Sequence, residues 1–174
     1  MKDWKVCYLA DAQRYGNQGG AILRYQKLLR KAHFNSNKLL GIYYRWCLKC
    51  WREKYGLELK PESSIGKGLY LGHPYNITIN NHAVIGCNCN IHKGVVIGRE
   101  NRGKRMGAPV IGNRVWIGIN TAIVGKITIG DDVLIAPNSY VNCDVPSHSV
   151  VYGNPCIIKH RDNATEGYIN NICE

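Results

Sequence analysis

The chain has 174 residues, a formal net charge of +11 and 45% hydrophobic residues, which suits one domain with a short additional segment. No apolar run approaches the roughly 18 residues of a transmembrane helix, and the first residues do not resemble a secretory signal. These features argue against a membrane-spanning or secreted protein. We expect a cytoplasmic protein, with contact at the inner face of the membrane as an alternative.

The first sixty residues form a basic segment that differs from the rest of the chain. Residues 1–60 contain thirteen Lys or Arg and four Asp or Glu, so they carry +9 of the total charge. Their apolar periodicity predicts helices over residues 18–33 and 38–54, joined near Asn35-Ser36-Asn37. We therefore predict a short α-helical module that precedes the main domain.

One face of the second predicted helix is apolar and aromatic. It contains Leu39, Ile42, Tyr43, Trp46 and Cys50. Such a face packs on the first coil of the next domain or on another subunit. Alternatively, a basic helix rich in Trp and Tyr rests on an anionic membrane, here through residues 38–54. We expect no nucleic-acid binding, because no recognition motif accompanies the charge.

The eight cysteines do not form a clear metal or disulfide pattern. Cys47 and Cys50 have the spacing of zinc ligands or a redox pair, but they lie on a predicted helix without a second ligand pair nearby. We therefore expect no metal site and no structural disulfides.

From residue 65 to residue 146 an aliphatic residue returns at every sixth position, usually followed by a small one. The repeat includes Ile79, Ile85, Ile91, Ile97, Ile111, Ile117, Ile123, Ile129, Ile135 and Val141. A period of six fits neither a helix nor an alternating strand, whereas short repeats are typical of stacked coils. Three hexads complete one coil, so residues eighteen apart stack. The repeat predicts a parallel β-helix, with Ile79 above Ile97 and Ile111 above Ile129.

Two interruptions of the repeat mark candidate functional segments. The frame shifts by two residues around His73-Pro74-Tyr75-Asn76, and an insertion separates Ile97 from Ile111. Residues 99–108 of this insertion read RENRGKRMGA and predict a basic loop that leaves the coil. Insertions in repeat proteins lie on one face and often build the functional site.

Several motifs in one order resemble the serine acetyltransferase branch of the hexapeptide-repeat acyltransferases. They are YGLELKPE from Tyr55, IGKGLYLGH ending at His73, NIHKGVVIG from Asn90, GAPVIGNRVWIG from Gly107 and VYGNP from Val151. The resemblance covers about residues 55–160 and is nearest to short enzymes of capsule and exopolysaccharide synthesis. It implies a mainly β fold, a left-handed parallel β-helix of hexapeptide repeats, with acetyl-CoA bound between the subunits of a homotrimer.

On this resemblance we divide the chain into three parts. Residues 1–60 form the basic α-helical module, residues 61–160 form the β-helix acetyltransferase domain with its extruded loop, and residues 161–174 form a C-terminal tail.

His73 matches the general base of the family. A neutral imidazole can take the proton from an acceptor hydroxyl as its oxygen attacks the acetyl thioester. Both substrates are then bound together, without a covalent acyl-enzyme. His92, almost one coil further along, is a second candidate catalytic residue. It can shape the acceptor pocket, orient His73 or act as the base, or it can be an exposed corner residue.

The resemblance also indicates which residues bind coenzyme A. Small residues at one corner, Gly118 and Ala136, let the pantetheine arm approach the backbone. Asn154, Pro155 and Lys159 match the terminal segment near the adenine and ribose phosphate of the coenzyme. The loop cations Arg102, Lys104 and Arg105 can reach phosphates as well. Trp116 is expected on the outer face or at a subunit contact.

Two departures from serine acetyltransferases concern the acceptor. Gly72 stands where the family has an aspartate before the catalytic histidine, and Ala108 stands where a second histidine precedes a proline. The helical module is also shorter. These departures favour a saccharide hydroxyl, in a capsular polysaccharide or its precursor. The alternatives are L-serine, an amino sugar acetylated on nitrogen, and a non-catalytic β-helix scaffold.

Overall fold

The computed structural model describes residues 3–16 and 18–174. Its first elements are three helices, α1 Asp3–Arg14, α2 Gly20–His33 and α3 Lys38–Tyr55. The starts and ends of α2 and α3 agree with the two predicted helices to within two residues. Asn37 begins α3, because its side-chain oxygen accepts a hydrogen bond from the Leu40 N–H at 3.1 Å. Helix α1 was not predicted.

Fifteen short strands follow the helices. They are β1 Leu57–Glu58, β2 Ser64–Ile65, β3 Tyr70–Gly72, β4 Ile77–Ile79, β5 Val84–Ile85, β6 Asn90–His92, β7 Val96–Gly98, β8 Val110–Ile111, β9 Val115–Ile117, β10 Ala122–Val124, β11 Thr128–Ile129, β12 Val133–Ile135, β13 Tyr140–Val141, β14 Ser149–Tyr152 and β15 Ile157–His160.

The strands form the three faces of a β-helix. One face is the sheet β1-β4-β7-β10-β13, the second is β11-β8-β5-β2, and the third is β15-β14-β12-β9-β6-β3. Neighbouring strands are parallel, except that β15 runs antiparallel to β14. Successive coils contribute one strand to each face, except that the last coil meets the four-stranded face only through the bridge between Val145 and Ile129. The predicted β-helix is therefore confirmed.

The aliphatic repeat fills the axis of this β-helix. Ile79 pairs with Ile97, and Ile111 pairs with Ile129, as the eighteen-residue period predicts. The repeat isoleucines are between 0% and 2% exposed. Burial of each such side chain contributes about 2 kcal/mol before entropic costs. The ladder therefore supplies the main apolar core of the protein.

The helices attach to the β-helix through apolar side chains that join its core and through buried polar groups. The Arg30 guanidinium on α2 donates to both Asp11 carboxylate oxygens on α1, at 2.8 and 2.9 Å. It also donates to the carbonyls of Ile65 and Gly66, each at 2.7 Å. The Leu69 N–H donates to Asp11 at 2.9 Å. A buried charged pair therefore joins two helices to the first coil.

The apolar face predicted for α3 does not pack on the first coil. Leu39 is 79% exposed, Ile42 is 66% exposed and Trp46 is 62% exposed. The other side of α3 packs inward instead, through buried Leu48 and through Trp51, whose ring lies 5.5 Å from that of Tyr25 on α2. Helix α3 thus has two apolar faces. The face with Leu48 and Trp51 packs inward, with Trp51 against α2, and the predicted face remains exposed.

The C-terminal tail returns across the outside of the six-stranded face. The Asp132 carboxylate accepts hydrogen bonds from the backbone N–H groups of Ala164 and Thr165, both at 3.0 Å, and from the Thr165 hydroxyl at 2.6 Å. Near the end of the tail, the Asn88 amide and the Cys173 backbone exchange two hydrogen bonds. The tail is therefore anchored at two separate coils.

Two absences hold for residues 3–16 and 18–174. No helix in these ranges combines the length and the apolar character needed to cross a membrane. No group of three or more His, Cys, Asp or Glu side chains there is arranged to hold a metal ion. Cys47 is half-buried and Cys50 is exposed, and both are free thiols.

Candidate functional site

The candidate residues lie on one corner of the β-helix, at the ends of β3, β6, β9 and β12. The register pairs Gly72 with His92, and it pairs Ile91 with Ile117 and Ile117 with Ile135. The residues that follow these isoleucines are His92, Gly118 and Ala136, so Gly72, His92, Gly118 and Ala136 stack along the axis. We call these four residues the corner row.

His73 follows the first member of the corner row. Its φ is +50°, and its carbonyl accepts a hydrogen bond from the Tyr75 N–H at 2.7 Å. The chain turns here from the six-stranded face to the five-stranded face. His73 is exposed, and together with Pro74 it borders the cavity described below.

A cavity of about 720 Å³ opens beside His73. His73 and His92 both line it, so the structure brings the two predicted catalytic residues together. No Asp or Glu is among the lining residues of this cavity in the described part of the chain. The lining residues are Arg14, Tyr15, Gly16, Gln18, Ile22, Tyr70, Leu71, His73, Pro74, Asn90, His92, Trp116, Tyr168, Asn170 and Asn171.

Helix α1 and the tail close two sides of the cavity. Arg14 is 4% exposed and donates to the Asn170 carbonyl at 2.8 Å, the Gly68 carbonyl at 2.9 Å and the Asn90 side-chain oxygen at 2.6 Å. The Asn90 amide in turn donates to the Tyr168 carbonyl at 3.1 Å. Arg14 therefore fixes the tail to the β-helix beside the cavity.

Aromatic rings form a further part of the lining. The ring centroids of Trp116 and Tyr168 are 5.2 Å apart in an edge-to-face arrangement, and those of Tyr15 and Tyr70 are 4.6 Å apart. Trp116 also lies 4.7 Å from His92. Trp116 is on the outer face, as expected, where the tail of the same chain covers it. Tyr168 remains 52% exposed, so part of its ring is accessible.

His92 is held in a defined orientation. Its Nδ1 lies 3.0 Å from the Ile117 carbonyl oxygen. A carbonyl can only accept, so Nδ1 carries the proton and Nε2 is left with a free lone pair in the neutral ring. Burial lowers the pKa of His92, the hydrogen bond to Ile117 opposes this, and nearby His73 lowers it again, with a net decrease. The neutral ring therefore prevails at neutral pH.

Five of the eight residues predicted to bind coenzyme A lie further along this corner or in the turn and strand that follow it: Gly118, Ala136, Asn154, Pro155 and Lys159. Gly118 and Ala136 follow His92 in the corner row and carry at most a methyl group. Asn154 and Pro155 lie in the turn between β14 and β15, and the Lys159 ammonium on β15 lies 5.9 Å from the ring of Tyr152. An extended ligand that starts beside His73 can therefore follow this corner towards Lys159.

The basic loop lies on a different corner. Residues 99–108 leave the end of β7 and lead to β8, so Arg102, Lys104 and Arg105 extend between the five-stranded and four-stranded faces. All three side chains are exposed, and none lines the cavity beside His73. Within one chain, Arg102, Lys104 and Arg105 therefore lie on a different corner from the corner row.

Sequence reasoning did not identify Arg14, Asn90, Tyr168 or Asn170 as lining residues. Arg14 lies on the helix that was not predicted, and the two tail residues are outside the repeat. Asn90 faces outward within a hexad and has no feature that separates it from other polar outward positions. The one available signal is the unusual content of amide and aromatic residues in the last seven positions, which read YINNICE.

The sequence of the chain is similar to those of known proteins. Residues 108–143 match the family described as bacterial transferase hexapeptide (six repeats). A serine acetyltransferase of Helicobacter pylori is 35% identical over 99 residues, which are 57% of this chain and 58% of that protein. Serine acetyltransferase 2 of Arabidopsis thaliana is 41% identical over 138 residues, 79% of this chain and 42% of that protein. This chain thus spans about half the length of these relatives.

A solved structure extends the likeness to the helices. Neisseria gonorrhoeae serine acetyltransferase in complex with serine has a TM-score of 0.76 and 26% identity, and the alignment covers 90% of this chain and 69% of that one. These proteins are serine acetyltransferases, so the expected nearness to capsule and exopolysaccharide enzymes receives no support from them. The chain is a left-handed β-helix of hexapeptide repeats, and it is similar to serine acetyltransferases over about half of their length.

Proposed function

We propose that this protein transfers an acetyl group from acetyl-CoA to a hydroxyl group, with His73 as the general base. The observation that supports this proposal is the corner row, because Gly72 directly precedes His73 and the small residues Gly118 and Ala136 lie further along the same corner. The similarity to serine acetyltransferases supports the same chemistry. A non-catalytic scaffold would not require a histidine-lined cavity at this edge.

In the proposed reaction both substrates are bound at once. His73 takes the proton from the acceptor hydroxyl while that oxygen attacks the thioester carbonyl of acetyl-CoA. The tetrahedral intermediate then collapses, the carbon–sulfur bond breaks, and the proton on His73 passes to the departing sulfur. The products are an acetyl ester and free coenzyme A, and no group on the protein is acylated.

The small side chains of the corner row leave space for acetyl-CoA. A pantetheine arm forms hydrogen bonds with backbone groups, and Gly118 and Ala136 leave the backbone approachable. Lys159, beside the turn of Asn154 and Pro155, supplies a positive charge for a phosphate at the far end. We expect a homotrimer, as the resemblance implies, in which a neighbour's loop brings Arg102, Lys104 and Arg105 towards the same ligand.

L-serine is the acceptor that the relatives favour, since their names specify it and one solved relative holds serine. The experiment is thiol release from acetyl-CoA by the purified protein with and without L-serine. We expect serine-dependent release and a product that is an ester, O-acetylserine. No release above background with serine, while another hydroxyl compound is acetylated, would contradict serine as the acceptor.

A saccharide hydroxyl is the second candidate, and one observation favours it. Amides and aromatic rings line the cavity, and none of its lining residues in the described ranges 3–16 and 18–174 carries a side-chain carboxylate to pair with an ammonium. Amides and rings suit an uncharged polyhydroxyl compound. The same assay with nucleotide sugars, amino sugars and oligosaccharides tests it. An ester product supports the saccharide hydroxyl, whereas an amide product identifies an amino-sugar acceptor and contradicts O-acetylation.

A further inference from the structure

A side chain at position 72 and the ring of His92 would occupy the same space. A Cβ atom added to Gly72 would lie 2.4 Å from His92 Cδ2 and 2.7 Å from Nε2. Both distances are shorter than real Cβ atoms adopt, and the atoms in contact belong to a ring that packs against Trp116. The imidazole of His92 therefore occupies the space that a side chain at position 72 would need.

The position of this ring follows from two fixed contacts. The Ile117 carbonyl oxygen lies 3.0 Å from Nδ1. The ring of Trp116 packs against the imidazole at a tilt, with their centroids 4.7 Å apart. The Nε2 atom is consequently directed to the side of Gly72, immediately before His73 in the chain. His92 presents there a hydrogen-bond acceptor that has no partner among the hydrogen bonds of the described residues.

We propose that His92 is an acceptor-binding residue: its Nε2 accepts a hydrogen bond from a second N–H or O–H group of the acceptor, next to the hydroxyl that His73 deprotonates. Gly72 is the companion residue that leaves room for it. The ligand class is a hydroxyl compound with a neighbouring donor, either the amine of an amino acid or an adjacent sugar hydroxyl. This inference rests on the proposed acetyl transfer.

A binding role differs from a base role in the kinetic constant that it changes. Loss of a hydrogen bond made equally in the ground state and the transition state raises KM and leaves kcat unchanged, whereas loss of a base lowers kcat. The test is therefore His92→Ala, measured by thiol release at varied concentrations of the acceptor that the wild type uses. His82→Ala is the control, because His82 is exposed and does not line the cavity.

We expect His92→Ala to raise the acceptor KM by about tenfold, the effect of one lost hydrogen bond, with kcat and the KM for acetyl-CoA nearly unchanged. The control should match the wild type. A fall in kcat without a change in acceptor KM would make His92 a base or an orienting residue and overturn the proposal. Unchanged constants would overturn it as well.

A double-mutant cycle tests the shared volume. Gly72→Ala alone should displace the ring, raise the acceptor KM and lower the melting temperature. In the His92→Ala background the same substitution has room, so it should change neither quantity. Equal effects of Gly72→Ala in both backgrounds would contradict the competition for space. The melting temperatures report on this competition without any activity.

The outcomes separate this proposal from the one on which it rests. A wild-type protein that releases no thiol with any acceptor contradicts the acetyl transfer and, with it, this role of His92. A wild type that is active while His92→Ala keeps a normal acceptor KM contradicts only the role of His92.

Discussion

In the β-helix each coil contributes aliphatic residues to a continuous apolar ladder, whereas α1 and α2 are attached to it in addition through buried polar and charged side chains. Ile91 and Ile97 are 0% exposed among other aliphatic residues. Arg30 and Asp11 are nearly as buried, at 3% and 0%, yet both are charged. Shortening a buried apolar side chain removes only part of its contacts, whereas removing the partner of a buried charge leaves that charge uncompensated. The two regions should therefore respond differently to substitution.

The largest effect on stability is expected from Asp11→Ala. It leaves the Arg30 guanidinium buried without its carboxylate, and breaking such a pair costs about 3–5 kcal/mol. Urea unfolding followed by circular dichroism measures the change. The matched control is Glu62→Ala, since Glu62 pairs with Arg45 at 2.6 Å with both side chains well exposed, at 43% and 63%. That change should cost less than about 1 kcal/mol. Equal costs would remove the contrast between buried and exposed charges.

A substitution in the ladder is expected to cost roughly 2–5 kcal/mol. Ile91→Ala removes buried methyl groups between two neighbouring coils and leaves a cavity. Val96→Ala is the control, because Val96 lies on β7, the next strand along the chain, but faces outward and is 40% exposed. Its cost should stay within about 0.5 kcal/mol. If both variants unfold at the same urea concentration, the ladder is not the main source of stability.

A smaller effect, about 1.5–3 kcal/mol, is expected where the tail meets the β-helix. Burial alone would raise the pKa of Asp132, but hydrogen bonds from Thr165, His148 and Ala164 outweigh it and hold the pKa below its ordinary value. A carboxylate with a lowered pKa stabilises the fold above its unfolded-state pKa, and this contribution disappears as the pH falls through the folded-state pKa.

The measurement is the free energy of unfolding of Asp132→Asn and the wild type between pH 7 and pH 3. The variant should be less stable at pH 7, and the difference should shrink below about pH 4. Asp162→Asn is the control, because the Asp162 side chain is 86% exposed, and it should follow the wild type. A difference that stays constant with pH would mean that the Asp132 charge does not anchor the tail.

The same contrast explains what the sequence could predict. The hexad repeat correctly paired Ile79 with Ile97, because an internal ladder requires an aliphatic residue at every sixth position. Helix α1 was not predicted, since it is fixed by two hydrogen bonds to backbone groups far along the chain. Asp11 accepts from the Leu69 N–H, and Arg14 donates to the Gly68 carbonyl. Charged residues in a basic segment look solvated until those partners are known.

Some residues of the candidate site could be predicted from the sequence, and others could not. Sequence motifs predicted that His73 and His92 are functional residues, and the coil geometry places both on one cavity. The steric conflict between a side chain at position 72 and the His92 ring was not predictable. It depends on the pairing of Gly72 with His92, twenty positions apart, and on the orientation of the His92 ring. The tail residue Tyr168 was also missed, since its position depends on hydrogen bonds from Arg14 and Asn90 to the tail.

The central claim is that His73 removes the proton from the acceptor hydroxyl during acetyl transfer. Its most direct test is acceptor-dependent thiol release from acetyl-CoA, compared between the wild type and His73→Ala at saturating acceptor. The account predicts a kcat that falls by roughly 10²–10⁴-fold, with an unchanged melting temperature and retained acetyl-CoA binding. A variant that turns over at the wild-type rate would contradict the claim.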